Sequence, residues 1–147
     1  MTQIRQPRFK MGAILSRVHR FIYVLLNGRF VSRRGSAQFL LLTTEGRRSH
    51  RMKTVPLLYL IHHRSPSVIA SKGGSPKAPD WLLNIRAEPK VRVQIGGVRQ
   101  DGTARIASDE EREELWPRFL ECYSGYAAYQ ARTSRRFPIV IITPAED

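Results

Sequence analysis

The chain has 147 residues, 41% of them apolar, which is one domain's worth of chain, whose folding buries roughly two thirds of the surface exposed when unfolded. Cys122 is the single cysteine, which excludes an intramolecular disulfide and a cysteine-based zinc cluster and fits a reducing compartment. Lys and Arg number 25 against 12 Asp and Glu, a formal charge of +13, and twelve of those cations fall within residues 1–53 beside one acid, Glu45, so the first third calls for an anionic partner: a membrane surface, nucleic acid or a phosphorylated small molecule.

Residues 1–10 are polar and basic and read as an arm. From Met11 the apolar positions 11, 14, 15, 18, 21, 22 and 25 mark one face of a helix that ends at Asn27–Gly28. Its polar face carries Arg17, His19 and Arg20, so it either packs on the domain or lies on anionic lipid at the inner face of the cell membrane. The longest unbroken apolar run, Phe21 to Leu26, is six residues, against the roughly twenty that cross a bilayer. Neither a signal peptide nor a twin-arginine signal is expected, and the expected location is the cytoplasm. This division gives a basic arm and helix over 1–36 and a main domain over 37–147.

After a basic linker, Phe39–Thr44 reads as a strand, Glu45–Lys53 as a polar turn, Val55–Ile61 as a second strand and Ser67–Ser71 as a third, with His62 to Pro66 as a surface turn. Lys72 to Ala78 is a glycine-containing loop, and Pro79 opens a short helix that closes at Glu88. Val91, Val93 and Ile95 alternate with polar residues, and Gly96–Gly97 supplies a hairpin into Val98–Ile106. Ser108 and Glu111 form a capping box opening a helix whose apolar face is Leu115, Trp116, Phe119, Leu120 and Tyr123. Ser124–Gly125 breaks it, Tyr126 to Thr133 is a further helical piece, and Pro138–Thr143 is the last strand. About six strands and flanking helices in no alternating order give an α+β sheet or small barrel.

The residues offer no reaction centre of their own. His19, His50, His62 and His63 lack metal-ligand spacing, so no metal site is expected, and there is no nucleophile elbow, dinucleotide fingerprint or Walker loop. Redox chemistry would come from a cofactor. Three segments stand out. The turn from Glu45 to Lys53 gathers Arg47, Arg48, Arg51 and Lys53 with Ser49 and His50, which is either a solvated basic turn or a grip for phosphate and carboxylate. Ser71-Lys72-Gly73-Gly74 with Pro79-Asp80-Trp81 is either a plain loop or a place where backbone amides meet an anion and Trp81 covers a planar ring. Tyr123, Tyr126 and Tyr129 either pack as aromatics or line a pocket with their hydroxyls.

At these residues the chain resembles the deazaflavin-dependent nitroreductases, also described as quinone reductases that use reduced coenzyme F420. The resemblance runs from about Phe39 to Pro144, on Leu41-Leu42-Thr43-Thr44-Glu45-Gly46-Arg47-Arg48-Ser49, Val55-Pro56-Leu57, Ala70-Ser71-Lys72-Gly73-Gly74, Pro79-x-Trp81-x-x-Asn84, Pro89-Lys90-Val91, Asp109-Glu110-Glu111-Arg112, Trp116-Pro117, the tyrosines and Pro138-Ile139-Val140. It implies a split β-barrel related to flavin-mononucleotide-binding reductases, with coenzyme F420 in a groove and hydride transfer to a quinone-like, nitroaromatic or enone acceptor. Flavin mononucleotide is the alternative cofactor, and a non-catalytic coenzyme carrier is the alternative role. The basic turn, Arg47, Arg48, Ser49, Arg51 and Lys53 with His50 and Met52 inside it, would hold the phosphate and polyglutamate tail. Ile69, Ala70, Ser71 and Lys72 would meet the ring system and phosphate side, with Pro56 and Leu58 from the preceding strand. Asp80, Trp81, Leu82, Leu83 and Asn84 would close the pocket, and Tyr126, flanked by Tyr123 and Tyr129, would serve the substrate side.

Two departures stand against the pattern. Close relatives have Gly-x-Pro where this chain has His50-Arg51-Met52, and an aromatic after Pro56 where this chain has Leu58 followed by Tyr59. Hydride transfer asks a protein to hold donor and acceptor about 3–3.5 Å apart and to place a donor beside the charge that develops on the acceptor, the role expected of Tyr126. No interleaved exposed aromatics or helix-turn-helix accompany the cations, so no specific nucleic-acid partner is expected. The sequence leaves the oligomeric state open.

Overall fold

The computed structural model describes residues 38–146, so the arm and the predicted N-terminal helix with its lipid-facing alternative lie outside the described residues. Six strands, β1 (Phe39–Glu45), β2 (Met52–His62), β3 (Ser65–Ile69), β4 (Lys90–Ile95), β5 (Val98–Ile106) and β6 (Ile139–Pro144), form a closed barrel in the order β1-β2-β3-β6-β5-β4. All six pairings, including the closing one between β1 and β4, are antiparallel. Three helices accompany them: α1 (Asp80–Ala87), α2 (Asp109–Cys122) and α3 (Gly125–Ala131). Among the described residues no helix is long and apolar enough to cross a membrane.

The two-residue alternation of strands divides the apolar side chains into two cores. Leu40, Leu42, Tyr59, Val68, Val91, Val93, Val140 and Ile142 fill the barrel together with Trp81, Leu82 and Ile85 of α1. Their strand neighbours Leu58, Ile69, Ile139 and Ile141 face the other way and pack on Leu115 and Phe119 of α2, Tyr126 of α3, and Phe137. From Pro66 to Ile69 and from Ile139 to Ile142 every residue is buried, so neither stretch has a solvent face.

Most elements fall where the sequence places them, and the differences have local causes. The ladder continues past Val55 to Met52, opposite Glu45, because the polar edge residues can extend as well as turn. The turn after β2 is shorter than predicted, only His63 and Arg64, and both take the left-handed conformation (φ 47° and 67°) that a two-residue hairpin demands of its centre. This starts β3 at Ser65. It also buries His62, expected on the surface, with Nε2 3.4 Å from the Glu111 carboxylate.

The capping box forms as predicted: the Ser108 hydroxyl accepts from the Glu111 N–H, and the Glu111 carboxylate accepts from the Ser108 N–H. Arg105 adds a two-pronged ion pair to Glu111 at 2.7 and 2.8 Å. That pair, followed by the Ser108 backbone, holds the Glu111 carboxyl well below the usual carboxylate range. A depressed carboxyl stabilises the fold above its unfolded pKa of about 4.3 and loses that contribution as pH falls. Glu111→Gln is expected to flatten the fall in melting temperature between neutral pH and pH of about 3 relative to wild type; an unchanged acid profile would contradict the assignment. Phe119, fully buried between α2 and the barrel wall, predicts a loss of about 3–5 kcal/mol in Phe119→Ala, read by denaturant unfolding.

Candidate functional site

A cavity of about 380 Å³ lies beside β2, lined by Phe39, Val55, Pro56, Leu57, Leu58, Ile69, Ser71, Lys72, Gly73, Pro79, Trp81, Tyr123, Tyr126 and Tyr129. The lining draws on both cores: Trp81, Val55 and Leu57 belong to or pack on the barrel interior, the tyrosines and Ile69 to the outer layer. It sits where the shared wall ends, just after β3. Most of the lining is hydrocarbon, and polarity comes from the loop after β3 and the three phenols.

The tyrosines do not form one helical stripe. Tyr123 ends α2, while Tyr126 and Tyr129 belong to α3. What lets Tyr123 lie back over α3 is Gly125, where a Cβ would collide with the Tyr123 ring. The Tyr123 and Tyr129 hydroxyls then meet at 2.6 Å, and the three rings stack edge to face with centroids 5.0–6.2 Å apart. Burial first, and then the bond to Tyr129, push the Tyr123 phenol up to about 12. Tyr126 is 7% exposed, and its hydroxyl has no hydrogen-bond partner among the described residues. Burial, followed by the neighbouring phenols, pushes it further above its ordinary value, so it remains a neutral O–H at physiological pH.

The loop after β3 runs Lys72, Gly73, Gly74 through three successive left-handed conformations, φ 45°, 62° and 83°. Gly74 is the required glycine: a Cβ there would come 2.6 Å from the Tyr129 carbonyl oxygen, so the loop and α3 are in backbone contact. Arg135, in the segment between α3 and β6, fastens the same loop. Its Nη1 donates to the Ala70 carbonyl at 3.0 Å, its Nη2 to those of Ser71 and Ser75 at 2.9 and 3.1 Å, and its Nε to Ser75 at 3.2 Å.

The basic turn is tied to α1 through Asn84, which is buried. Its carbonyl oxygen accepts from both the Arg47 N–H and Nη1 at 3.1 and 3.0 Å, and its NH₂ donates to the Thr44 hydroxyl at 3.2 Å. Arg47 Nη2 also lies 3.4 Å from the Asp80 carboxylate, one residue from the cavity-lining Pro79 and Trp81. Arg48, Arg51 and Lys53 are exposed and make no ion pair among the described residues. His50 stands at φ 56°, the conformation a glycine adopts with least strain, and its ring meets Glu45 at 3.2 Å.

Of the predicted site residues, the structure brings Pro56, Leu58, Ile69, Ser71, Lys72, Trp81, Tyr123, Tyr126 and Tyr129 to one cavity. Ala70 and Leu82 are not part of its lining: both side chains are in the barrel core, because alternation turns Ala70 inward between Ile69 and Ser71. Leu83, Asn84, Asp80 and the turn from Arg47 to Lys53 also stand outside the lining, with Asn84 and Asp80 acting on Arg47. Sequence reading missed Phe39, Val55 and Leu57, while Gly73 and Pro79 stand in segments it singled out without giving either a role. The pairing of Phe39 with Leu58 was the signal for the first, once the β1–β2 register was known. It also missed Arg135, whose partners are carbonyls and leave no residue-type signature. His62, His63 and Glu114 could each offer a metal-ligand atom within 4.8 Å of one another, but none lines the cavity.

Residues 15–144 match the family described as F420H(2)-dependent quinone reductase, a match that begins well before the Phe39 at which the motif resemblance starts. An F420H(2)-dependent quinone reductase of Mycobacterium tuberculosis (strain H37Rv) is 36% identical over 137 residues, 90% of this chain and 92% of that protein. The solved structure of an F420-H2 dependent reductase is 40% identical with a TM-score of 0.65, covering 71% of this chain and 93% of that one. A second solved structure, described as a domain-swapped dimer, is 35% identical with a TM-score of 0.66, over 85% of this chain and 95% of that one.

The hydroxyl pair is open to direct test. In Tyr129→Phe, the Tyr123 phenol is expected to titrate lower than about 12 yet above the free value, since burial persists. An ultraviolet phenolate titration of the two proteins measures the difference; an identical curve would show that the pair does not form.

Proposed function

The chain belongs to the F420H(2)-dependent quinone reductase family, and we propose that the cavity beside β2 is where it brings reduced coenzyme F420 and a quinone-like acceptor together. The observation that carries this reading is Tyr126: a buried, neutral phenol whose hydroxyl has no partner among the described residues, in the same apolar cavity as Trp81 and the loop after β3. A carbonyl acceptor reduced there develops negative charge on oxygen. A preplaced O–H in a site kept apolar is worth more to that charge than one in water.

The residues fit the coenzyme's parts. A cavity of about 380 Å³ is near the small end of cofactor clefts (~300–1,000 Å³), suited to a tricyclic ring with a small planar acceptor but not to a polyanionic tail. Trp81, Ile69, Pro56 and Leu58 supply faces for a flat ring. The N–H groups of Ser71 and Lys72 have no hydrogen-bond partner among the described residues and suit a phosphate. Arg48, Arg51 and Lys53 suit the carboxylates of the tail. Arg47 is the exception within the turn: with Asn84 and Asp80 already on it, its main task is to hold the turn against α1. The bound reduced coenzyme supplies a hydride; the protein's work is to orient, to keep water out through the hydrocarbon lining, and to hold a proton at Tyr126 Oη. The raised pKa of that phenol makes it a hydrogen-bond donor at neutral pH rather than a proton releaser, so the one proton that accompanies the hydride comes from solvent. Nitroaromatic and enone acceptors share the feature that matters, an electron-poor π system next to oxygen, and belong to the same proposal.

Two measurements test it. Tyr126→Phe is expected to lower kcat about 100-fold while coenzyme affinity by fluorescence stays near wild type; an unchanged kcat would remove Tyr126 from the reaction. The double change Arg48→Ala with Arg51→Ala should weaken the coenzyme with its full tail several-fold and leave a tailless fragment unaffected. Equal losses for both would contradict the assignment of those cations to the tail, and tight binding of flavin mononucleotide in place of the deazaflavin would overturn the cofactor reading itself.

A further inference from the structure

Arg135 contributes nothing to the cavity lining and contacts no carboxylate among the described residues, yet it makes four donations to three backbone carbonyls: Ala70, Ser71 and Ser75. Phe137 packs against the same group, its ring centroid 4.8 Å from Cζ. A half-buried guanidinium with no counter-ion is an unusual way to fill space. Here its planar fork spans a defined stretch of chain.

The three carbonyls bracket the run Lys72-Gly73-Gly74, whose left-handed backbone also rests on Tyr129 at Gly74 and is closed by the Gly74 N–H donating to the Ser71 carbonyl at 3.0 Å. Two carbonyls are held before the run and one after, so a single rigid plane fixes both ends. The direction of the intervening amides follows from peptide geometry. In a trans peptide the N–H points opposite to the C=O, and no peptide bond in the described chain is cis. With the carbonyls of Ala70 and Ser71 turned to Arg135, the N–H groups of Ser71 and Lys72 are turned away from it, and neither has a hydrogen-bond partner among the described residues. Both residues line the cavity.

From this arrangement we infer that Arg135 is a positioning residue for the coenzyme, setting the loop after β3 so that the N–H groups of Ser71 and Lys72 face an anionic group of the bound molecule; the inference rests on the coenzyme site proposed above. Lysine cannot replace it, because an ammonium radiates its donors from one point and cannot span Ala70, Ser71 and Ser75 together. The guanidinium never touches the coenzyme. It acts through the backbone.

The test uses the full chain, wild type and R135K. Coenzyme affinity by fluorescence is expected to fall about tenfold or more in R135K, as for loss of a charged hydrogen-bond set. The coenzyme KM should rise in step, with kcat at saturating coenzyme within about twofold of wild type. The amide resonances of Ser71 to Ser75 should already be displaced in coenzyme-free R135K. Wild-type affinity in R135K, or a lower kcat with unchanged KM and unmoved loop amides, would overturn the inference and leave Arg135 a stabilising residue only. Should wild type itself fail to bind the coenzyme, the functional reading falls, while the loop amides of the free proteins still decide whether Arg135 sets the loop. Should R135K not fold, wild-type protein decides: the Ser71 and Lys72 amides must shift on adding coenzyme and the Arg135 Nε–H must exchange slowly, and failure of either refutes the role.

Discussion

The stretches Pro66–Ile69 and Ile139–Ile142 have no face to give to water, and the rest of the molecule is arranged around that constraint. A strand covered on one side only can alternate apolar with polar residues; a wall between two cores cannot. Val68, Val140 and Ile142 close the barrel from within, and Ile69, Ile139 and Ile141 give α2 and α3 a surface to pack on. Helices that would be marginal in isolation are held by that outer layer. The cavity opens where the shared wall stops, at the end of β3, so its lining comes from both layers.

Near that opening, backbone meets backbone with little side chain between. Gly74 lets the loop after β3 touch Tyr129, Gly125 lets Tyr123 fold over α3, and Arg135 gathers three loop carbonyls. The first joins the loop after β3 to α3, the second joins α2 to α3, and the third ties that loop to the segment following α3. The loop after β3 and α3 are thus in direct backbone contact through Gly74 and Tyr129. On the opposite flank, Asn84 does comparable work for the basic turn by binding Thr44 and Arg47 together.

The sequence made the strands and α2 legible because their signals are local: Val91, Val93 and Ile95 alternate, and Ser108 with Glu111 writes out a capping box. The predicted turn around His62 came out too long because a two-residue hairpin ordinarily advertises itself with Gly or Asn, whereas here His63 and Arg64 adopt the same backbone without the usual residues. Nine of the proposed site residues share the cavity, since the motifs coincide with the end of β3 for Ser71 and Lys72 and with the start of α1 for Trp81. Ala70 and Leu82 dropped out because a motif names neighbours in the chain, while the pleat and the helix decide which of them look inward. Arg47 carried a charge that read as available; its engagement with Asp80 and Asn84 depends on contacts more than thirty positions away. Arg135 was invisible for a related reason, as carbonyl oxygens belong to every residue.

The closing pair between β1 and β4 has a consequence for the behaviour of the protein at high concentration. Pairing Leu41–Thr43 with Arg92–Gln94 removes the open edge that β1 and β4 would otherwise offer another chain for strand-by-strand growth, the usual entry to β-aggregates. Among the described residues the large apolar side chains left exposed are Met52, Ile61, Val98 and Ile106, scattered over β2 and β5. With that seam shut, the colloidal stability of the fold leans on these four scattered side chains and on a surplus of like charge.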